Sequence, residues 1–251
     1  MHAWPAGVGR EILPELDSTN AEALRRARAG DVGPAWICAL GQSAARGRRG
    51  RAWTTGQGNF AASLLCRPPG VLAQRSFVAA LGLLDAMVAV TGRPELFGLK
   101  WPNDVLLGGG KVAGILLETG GPAGRPPALA IGIGVNLASA PEPAELEAGA
   151  TPPASLRGAT GIGIGPADFL DLLAPAVDAW EERLADEGFA PLRAAWLARA
   201  ARIGEEITAR LPDRTIAGRF ETIDASGALV LATEEGRVVL PAAEVHFAAG
   251  H

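Results

Sequence analysis

Apolar positions fall in short runs separated by polar, glycine-rich breaks, and their period changes several times along the chain. Asp17-Ser18-Thr19 precede Asn20-Ala21-Glu22-Ala23-Leu24, a hydroxyl or carboxylate cap followed by strong helix formers. That order predicts a helix closing at Gly30. Residues 35–40 read as a strand, 41–58 as a polar, glycine-rich and basic loop, and 60–66 as a second strand. A long apolar helix is expected over 74–90. Strands follow over 97–101, 105–107, 112–117 and 128–137, and those around Ile115 and Ile131 are apolar on both faces, as in a sheet covered by helices.

Residues 138–158 are rich in Pro, Ala and Glu and predict a long irregular stretch. Loops beyond about 12–15 residues often serve as ligand lids or stay disordered. Two amphipathic helices are expected next, over 166–187 and 191–202. After Gly204 the period shortens to two, giving strands over 206–211, 215–223, 228–232 and 238–241. Asp224-Ala225-Ser226-Gly227 and Glu234-Glu235-Gly236 supply the turns. The order of elements gives an α/β (α+β) fold: a mixed β-sheet with helices packed on it over residues 1–203, and a small C-terminal β-barrel over 204–251. No internal repeat is evident.

At 251 residues the chain exceeds a typical domain of ~100–200, and a hydrophobic share of 48% supports a substantial core. The net charge of −4 argues against a general nucleic-acid binder. Arginines nevertheless concentrate at 46–51, a local positive spot suited to a small anionic ligand. Cys38 and Cys66 lie far apart in strand-like runs and read as buried small hydrophobes in a reducing compartment. There is no CxxC, HxxxH or HExxH pattern. With histidines at 2, 246 and 251 alone, no protein-built transition-metal site is expected. The first residues lack a basic region followed by an apolar run. No stretch reads as the ~20 apolar residues of a spanning helix. The expectation is a soluble cytoplasmic protein without membrane contact.

Three segments carry candidate chemistry. The first is Ala45-Arg46-Gly47-Arg48-Arg49-Gly50-Arg51-Ala52-Trp53. Taken alone, such a run reads as a solvated loop. Bounded by core strands and ending on Trp53, it offers forked donors that match phosphate oxygens and glycines that allow close backbone approach. The second is Lys100-Trp101-Pro102-Asn103-Asp104 with Lys111-Val112-Ala113-Gly114. Lysines flanked by core residues need anionic partners, because burying a lone ammonium costs several kcal/mol. Asp104, Glu118, or a ligand phosphate or carboxylate could serve. Asp104 with Lys100, Asn103 and Lys111 could position a magnesium nucleotide and accept a proton. The third is Gly132-Ile133-Gly134-Val135-Asn136, which fails as GxGxxG because Asn136 holds the last place and no helix follows. Gly161-Ile162-Gly163-Ile164-Gly165 reads as a loop. Gly108-Gly109-Gly110-Lys111 lacks the spacing and the Ser/Thr of a P-loop.

Together these segments resemble the biotin protein ligases, which activate biotin with ATP and attach it to a lysine of a carboxylase carrier domain. The resemblance covers residues 17 to 245. It rests on Ser18-Thr19-Asn20, the Arg-Gly-Arg-Arg-Gly-Arg loop with Trp53, Lys-Trp-Pro-Asn-Asp, Lys-Val-Ala-Gly-Ile-Leu-Leu-Glu and Gly-Ile-Gly-Val-Asn, in that order. It implies a class II synthetase-like catalytic domain and an SH3-like C-terminal barrel.

By position, Ser18, Thr19 and Gln42 would bind the ureido ring and bicyclic head of biotin, with Asn20 beside them. Trp53 would pack near the biotinyl-adenylate. Arg46, Gly47, Arg48, Arg49 and Arg51 belong to the loop that folds over it. Lys111 would hold the biotin carboxylate and the α-phosphate, and Gly114, Gly132 and Gly134 would let backbone approach the ligand. Asn103 and Asn136 would lie by the nucleotide. Asp104 would assist with Mg2+ carried by ATP, or with proton loss from the carrier lysine. Lys111, Asp104 and Arg48 are thus the implied catalytic set. Trp196 matches a residue that stacks on adenine, and reads equally as helix core.

Two departures stand out. Ala45 replaces the glycine usual before the first loop arginine, and no arginine follows Glu244 where some members carry one, so nucleotide contacts from the barrel are not carried over. The match starts almost at the N-terminus, so a ligase-only form without a DNA-binding winged helix is expected, as monomer or homodimer. A lipoate or octanoate ligase of the same fold is the alternative. A non-catalytic biotin- or nucleotide-binding module is a more distant one.

Overall fold

In the computed structural model of the chain, residues 3–31, 33–47, 50, 51, 53, 55–142, 151–241 and 243–247 are described. Seven strands form one mixed sheet: β1 (Gly9–Leu13), β2 (Ala35–Ala39), β3 (Phe60–Cys66), β4 (Phe97–Lys100), β5 (Asp104–Leu107), β6 (Gly110–Gly120) and β7 (Ala128–Val135). Their order is β1-β2-β3-β7-β6-β5-β4. Only β1 and β2 run parallel, which requires a crossover, and α1 (Thr19–Ala29) supplies it. Ser18 caps α1 through its hydroxyl, and Gly30, at φ +99°, closes it in the left-handed conformation that favours glycine.

Period-two alternation sorts the strand side chains onto two buried faces. Ile37, Leu65, Ala128 and Ala130 pack under Ala23, Leu24 and Ala27 of α1. Trp36, Cys38, Phe60 and Ala62 face the opposite way, toward α2 (Arg75–Thr91) and α4 (Pro166–Glu187). The expected helix-covered sheet is found. Gly82 lets α2 and α4 approach closely: a side-chain carbon there would come within 2.8 Å of the Val177 backbone. Leu72–Thr91 is long and apolar enough to cross a membrane by length and composition, contrary to the sequence reading. Most of it is buried inside the protein as a core helix.

Two segments differ from the expected boundaries. Within the stretch read as irregular, Ser155 caps a short helix, α3 (Leu156–Thr160). The helix expected to reach 202 stops early, as α5 (Phe189–Leu197). Residues 199–201 instead bond to Leu99, with Leu99 N donating to Arg199 O and Ala201 N to Leu99 O, both at 2.8 Å. That pairing covers the free edge of β4.

The described residues from 206 onward form an antiparallel sheet of β8 (Glu206–Arg210), β9 (Thr215–Ile223), β10 (Leu229–Thr233), β11 (Gly236–Leu240) and β12 (Glu244–Phe247), ordered β11-β10-β9-β8-β12. Edge-to-face contacts join Trp196 to Phe77 (5.6 Å) and to Phe220 of β9 (6.5 Å). Trp101 Nε1 donates to Gly227 O at 3.0 Å. One hydrophobic core therefore runs from the large sheet into the small one.

Candidate active site

A cavity of about 450 Å³ opens where the start of α1, the basic loop, the middle of the large sheet and β12 converge. Its floor is made by β6 and β7, where Gly114 and Gly134 pair across the strands. The indole of Trp53 lies on these glycines. A side-chain carbon at 134 would come within 2.7 Å of that ring, and one at 114 within 3.3 Å. At Gly132 the neighbour is Asn20, at 2.4 Å. All three glycines line the cavity, and the space directly above them here holds the side chains of Trp53 and Asn20.

The first turn of α1 forms one wall. Ser18, Thr19 and Asn20 are all buried, and each is fixed by the fold. Thr19 N donates to Gln42 Oε1 (2.8 Å), and Gln42 Nε2 donates to Thr55 Oγ1 (3.1 Å). Ser63 Oγ lies 2.8 Å from Thr19 Oγ1 and 2.6 Å from Asn20 Oδ1. Asn20 Nδ2 donates to Glu118 Oε2 at 2.8 Å. Glu118, considered as a lysine partner, instead serves Asn20 and lies 3.9 Å from Arg46 Nη2.

The opposite wall carries the charged cluster. The β4–β5 hairpin pairs Lys100 with Asp104, and Asp104 in turn pairs with Gly114 of β6. Lys111 Nζ lies 2.7 Å from Asp104 Oδ1 and 5.5 Å from the centroid of the Trp53 ring. Asp104 Oδ1 is buried and accepts no hydrogen bond of regular geometry. Asn103 braces β6, donating from Nδ2 to Ile115 O while its own carbonyl accepts from Ile115 N. Burial pushes the Lys100 ammonium below its ordinary pKa; Asp104 and Glu244 oppose the shift and Lys111 adds to it. Asn136 donates to Ala154 O (3.0 Å), while its Oδ1 is buried without a hydrogen-bond partner on the cavity wall.

The basic loop is pinned at its base: Trp53 N donates to Ala45 O (3.0 Å) and Gly47 N to Arg51 O (2.7 Å). Arg46, Gly47 and Arg51 line the cavity. Arg48 and Arg49 lie outside the described residues. Trp196 is only 1% exposed and is packed among Phe77 and Phe220, so it has no free face for adenine: of its two readings, helix core is the one the fold adopts. Thr151, Pro153, Glu244 and His246 also line the cavity, and sequence reasoning gave none of them a place there. Cys38 and Cys66 are free thiols pushed up to about 12 by burial, which leaves them poor nucleophiles at neutral pH.

The cavity thus combines two ammonium groups, guanidinium groups at its mouth, one carboxylate beside a lysine, and an aromatic plate over a flat floor. Such a set suits the joining of two anions, where the barrier is largely electrostatic.

Comparison with known proteins agrees over most of the chain. Residues 16–136 match the biotin/lipoate A/B protein ligase family, and 203–247 match the biotin protein ligase C terminal domain. The chain is 55% identical to a biotin–[acetyl-CoA-carboxylase] ligase of Paracoccus denitrificans over 94% of its own length and 99% of the relative's. It is 33% identical to the enzyme of the same name from Mycobacterium tuberculosis, over 94% and 87%. Its fold superposes on a biotin protein ligase from Aquifex aeolicus in complex with biotin and ATP, with a TM-score of 0.81 and 26% identity over 94% and 97% of the two chains.

Proposed function

The chain belongs to the biotin/lipoate A/B protein ligase family, and on that premise we propose how its cavity works. It is an ATP-dependent biotin protein ligase: it converts biotin to biotinyl-5′-AMP with release of pyrophosphate, then passes biotin to a lysine of a carboxylase carrier domain. The observation that carries the mechanism is the position of Lys111 Nζ, inside the cavity, beside Asp104 and close to the Trp53 ring.

In the first step an oxygen of the biotin carboxylate attacks the α-phosphorus, and the bond to the β-phosphate breaks. Two anions meet, and the Lys111 charge stands where repulsion is greatest. Ser18, Thr19, Asn20 and Gln42 form the polar wall for the biotin head, because their mutual hydrogen bonds fix their orientation before ligand arrives. Arg46, Gly47 and Arg51, which line the cavity, form the cover that keeps water from the mixed anhydride. Asn136 Oδ1 supplies a buried acceptor for a nucleotide donor.

Mg2+ would enter with ATP. Asp104, whose buried Oδ1 is ion-paired with Lys111, is the carboxylate that would face it from the protein side. When bound, the ion neutralises phosphate charge. In the second step the carrier lysine must lose a proton, and Asp104 is the carboxylate in place to take it. Residues 1–203 act as the catalytic unit and 204–251 as a smaller unit that closes the cavity. The two free cysteines suit a reducing cytoplasm.

Mass spectrometry after mixing the protein with biotin, ATP and MgCl2 tests this reading. Biotinyl-5′-AMP and stoichiometric pyrophosphate are expected, with no adduct when lipoate replaces biotin. An adduct with lipoate alone would overturn it.

A further inference from the structure

Lys100 has no part in the mechanism above, yet its setting demands one. Of the chain's 23 lysines and arginines only two are lysines, Lys100 and Lys111, and both line the cavity. Everywhere else this chain meets its need for positive charge with the broad, forked guanidinium. A lysine at 100 therefore answers to something a compact point charge does better in a confined space.

Its partners are unusual for a buried cation. Lys100 is 7% exposed; its Nζ donates to Thr151 Oγ1 at 2.6 Å and stands 4.9 Å from the centroid of the Phe247 ring. Lys111 has Asp104 as counter-ion, and Arg51 has Glu244. No carboxylate reaches ion-pair distance of Lys100 among the described residues. A buried ammonium satisfied by a hydroxyl and an aromatic face is poorly compensated, and an arriving anion would relieve it.

The reaction supplies such an anion. As the new bond to the α-phosphorus forms, the bridging oxygen leaves with its electron pair, and negative charge gathers on the departing diphosphate. We propose that Lys100 is the subsite for that diphosphate, and that Thr151 is its placeholder, releasing the ammonium when phosphate oxygens arrive. The inference rests on the ligase reading and adds a residue to its first step.

Thr151 is well placed for this exchange. The residues that follow it pair with Lys111: Lys111 N donates to Pro152 O (2.7 Å) and Ala154 N to Lys111 O (2.9 Å). Occupation of the Lys100 subsite is thereby felt along the same backbone that carries the other lysine.

The two half-reactions separate the claim from a structural role, because biotinyl-5′-AMP has no outer phosphates. In the full chain, Lys100→Met should slow pyrophosphate release from ATP and biotin roughly 100-fold. It should also weaken inhibition by added pyrophosphate. Transfer from chemically supplied biotinyl-5′-AMP to hydroxylamine should change less than about 3-fold, since that step makes no use of the subsite. Thr151→Val, which deletes the placeholder but keeps the shape, should lower KM for ATP. Equal slowing of both half-reactions by Lys100→Met, or a raised KM for ATP in Thr151→Val, would overturn the proposal. A parent protein that forms no biotinyl-adenylate would instead sink the reading beneath it.

Discussion

Arg51 and Glu244, 193 positions apart in sequence, meet in a two-pronged ion pair with N···O distances of 2.6 and 2.9 Å. The contact ties the basic loop to β12, so the small sheet reaches across the cavity mouth and holds one of the loop's arginines. Sequence comparison with the family had pointed the other way, since no arginine follows Glu244. The small sheet thus borders the cavity directly, through Glu244 and His246, and holds a loop residue beside it.

Glu244→Gln tests what this tie does. Both side chains are partly exposed, 42% and 22%, so its contribution to global stability is under about 1 kcal/mol. Removing the charge should leave the melting temperature nearly unchanged while biotinyl-adenylate escapes faster. The half-life of labelled adenylate on the enzyme after dilution measures this. A large fall in melting temperature with unchanged retention would make the pair a structural strut.

Lys111→Ala should reduce pyrophosphate release roughly 100-fold or more, by the measure of losing one preorganised donor at a developing charge. The fold should persist, because Lys111 is only half-buried and its backbone stays paired to Pro152 and Ala154. Circular dichroism checks the fold and a coupled pyrophosphate assay the chemistry. Near-normal release would remove Lys111 from the reaction.

Gly134→Ala should act through Trp53. The added carbon would lie 2.7 Å from the indole, which must tilt off the floor. A raised KM for biotin is expected, with the sheet intact because β7 is extended at this position. The effect should not add to that of Trp53→Ala, since the second change removes what the first displaces. Independent, additive losses in a double-mutant cycle on KM would show that Gly134 serves the ligand directly.

How much of this was legible in the sequence follows from where the stabilising partners lie. β3 and β7 are buried on both faces and announce themselves as mainly apolar runs. β1 and β12 are short, with only two large apolar residues each, and take their hydrogen bonds from β2 and β8. The alanine-rich stretch after Leu197 keeps helical propensity, yet pairing with Leu99 wins because it covers a sheet edge. Trp196 fits a helix stripe in either role, and only its aromatic neighbours decide. Within the site, Asp104 and Lys111 could be matched because both sit in one hairpin region. Thr151 against Lys100 and Glu244 against Arg51 are pairings across 51 and 193 positions, visible only once the chain is folded.

Asp17 gives the fold a pH dependence at the cavity's edge. Its carboxylate accepts two hydrogen bonds of 2.8 Å from Arg25 and one of 2.7 Å from Ser18 N. The guanidinium first, then the backbone donor, hold its pKa down from 3.8 to about 2. A carboxyl that binds protons less readily when folded stabilises the folded state above its unfolded pKa. That contribution wanes as pH falls below about 4 and is gone below about 2. Both Asp17 and Arg25 are nearly half exposed, so solvent screening keeps the effect small. Asp17→Asn should therefore lower the urea midpoint slightly at pH 7, and the gap to the parent should close as pH approaches 2. Because Asp17 anchors the turn that carries Ser18, Thr19 and Asn20, the same variant should raise KM for biotin at pH 7. A stability gap that stays constant from pH 7 to 2 would show that packing around Asp17, and not its charge, holds this turn.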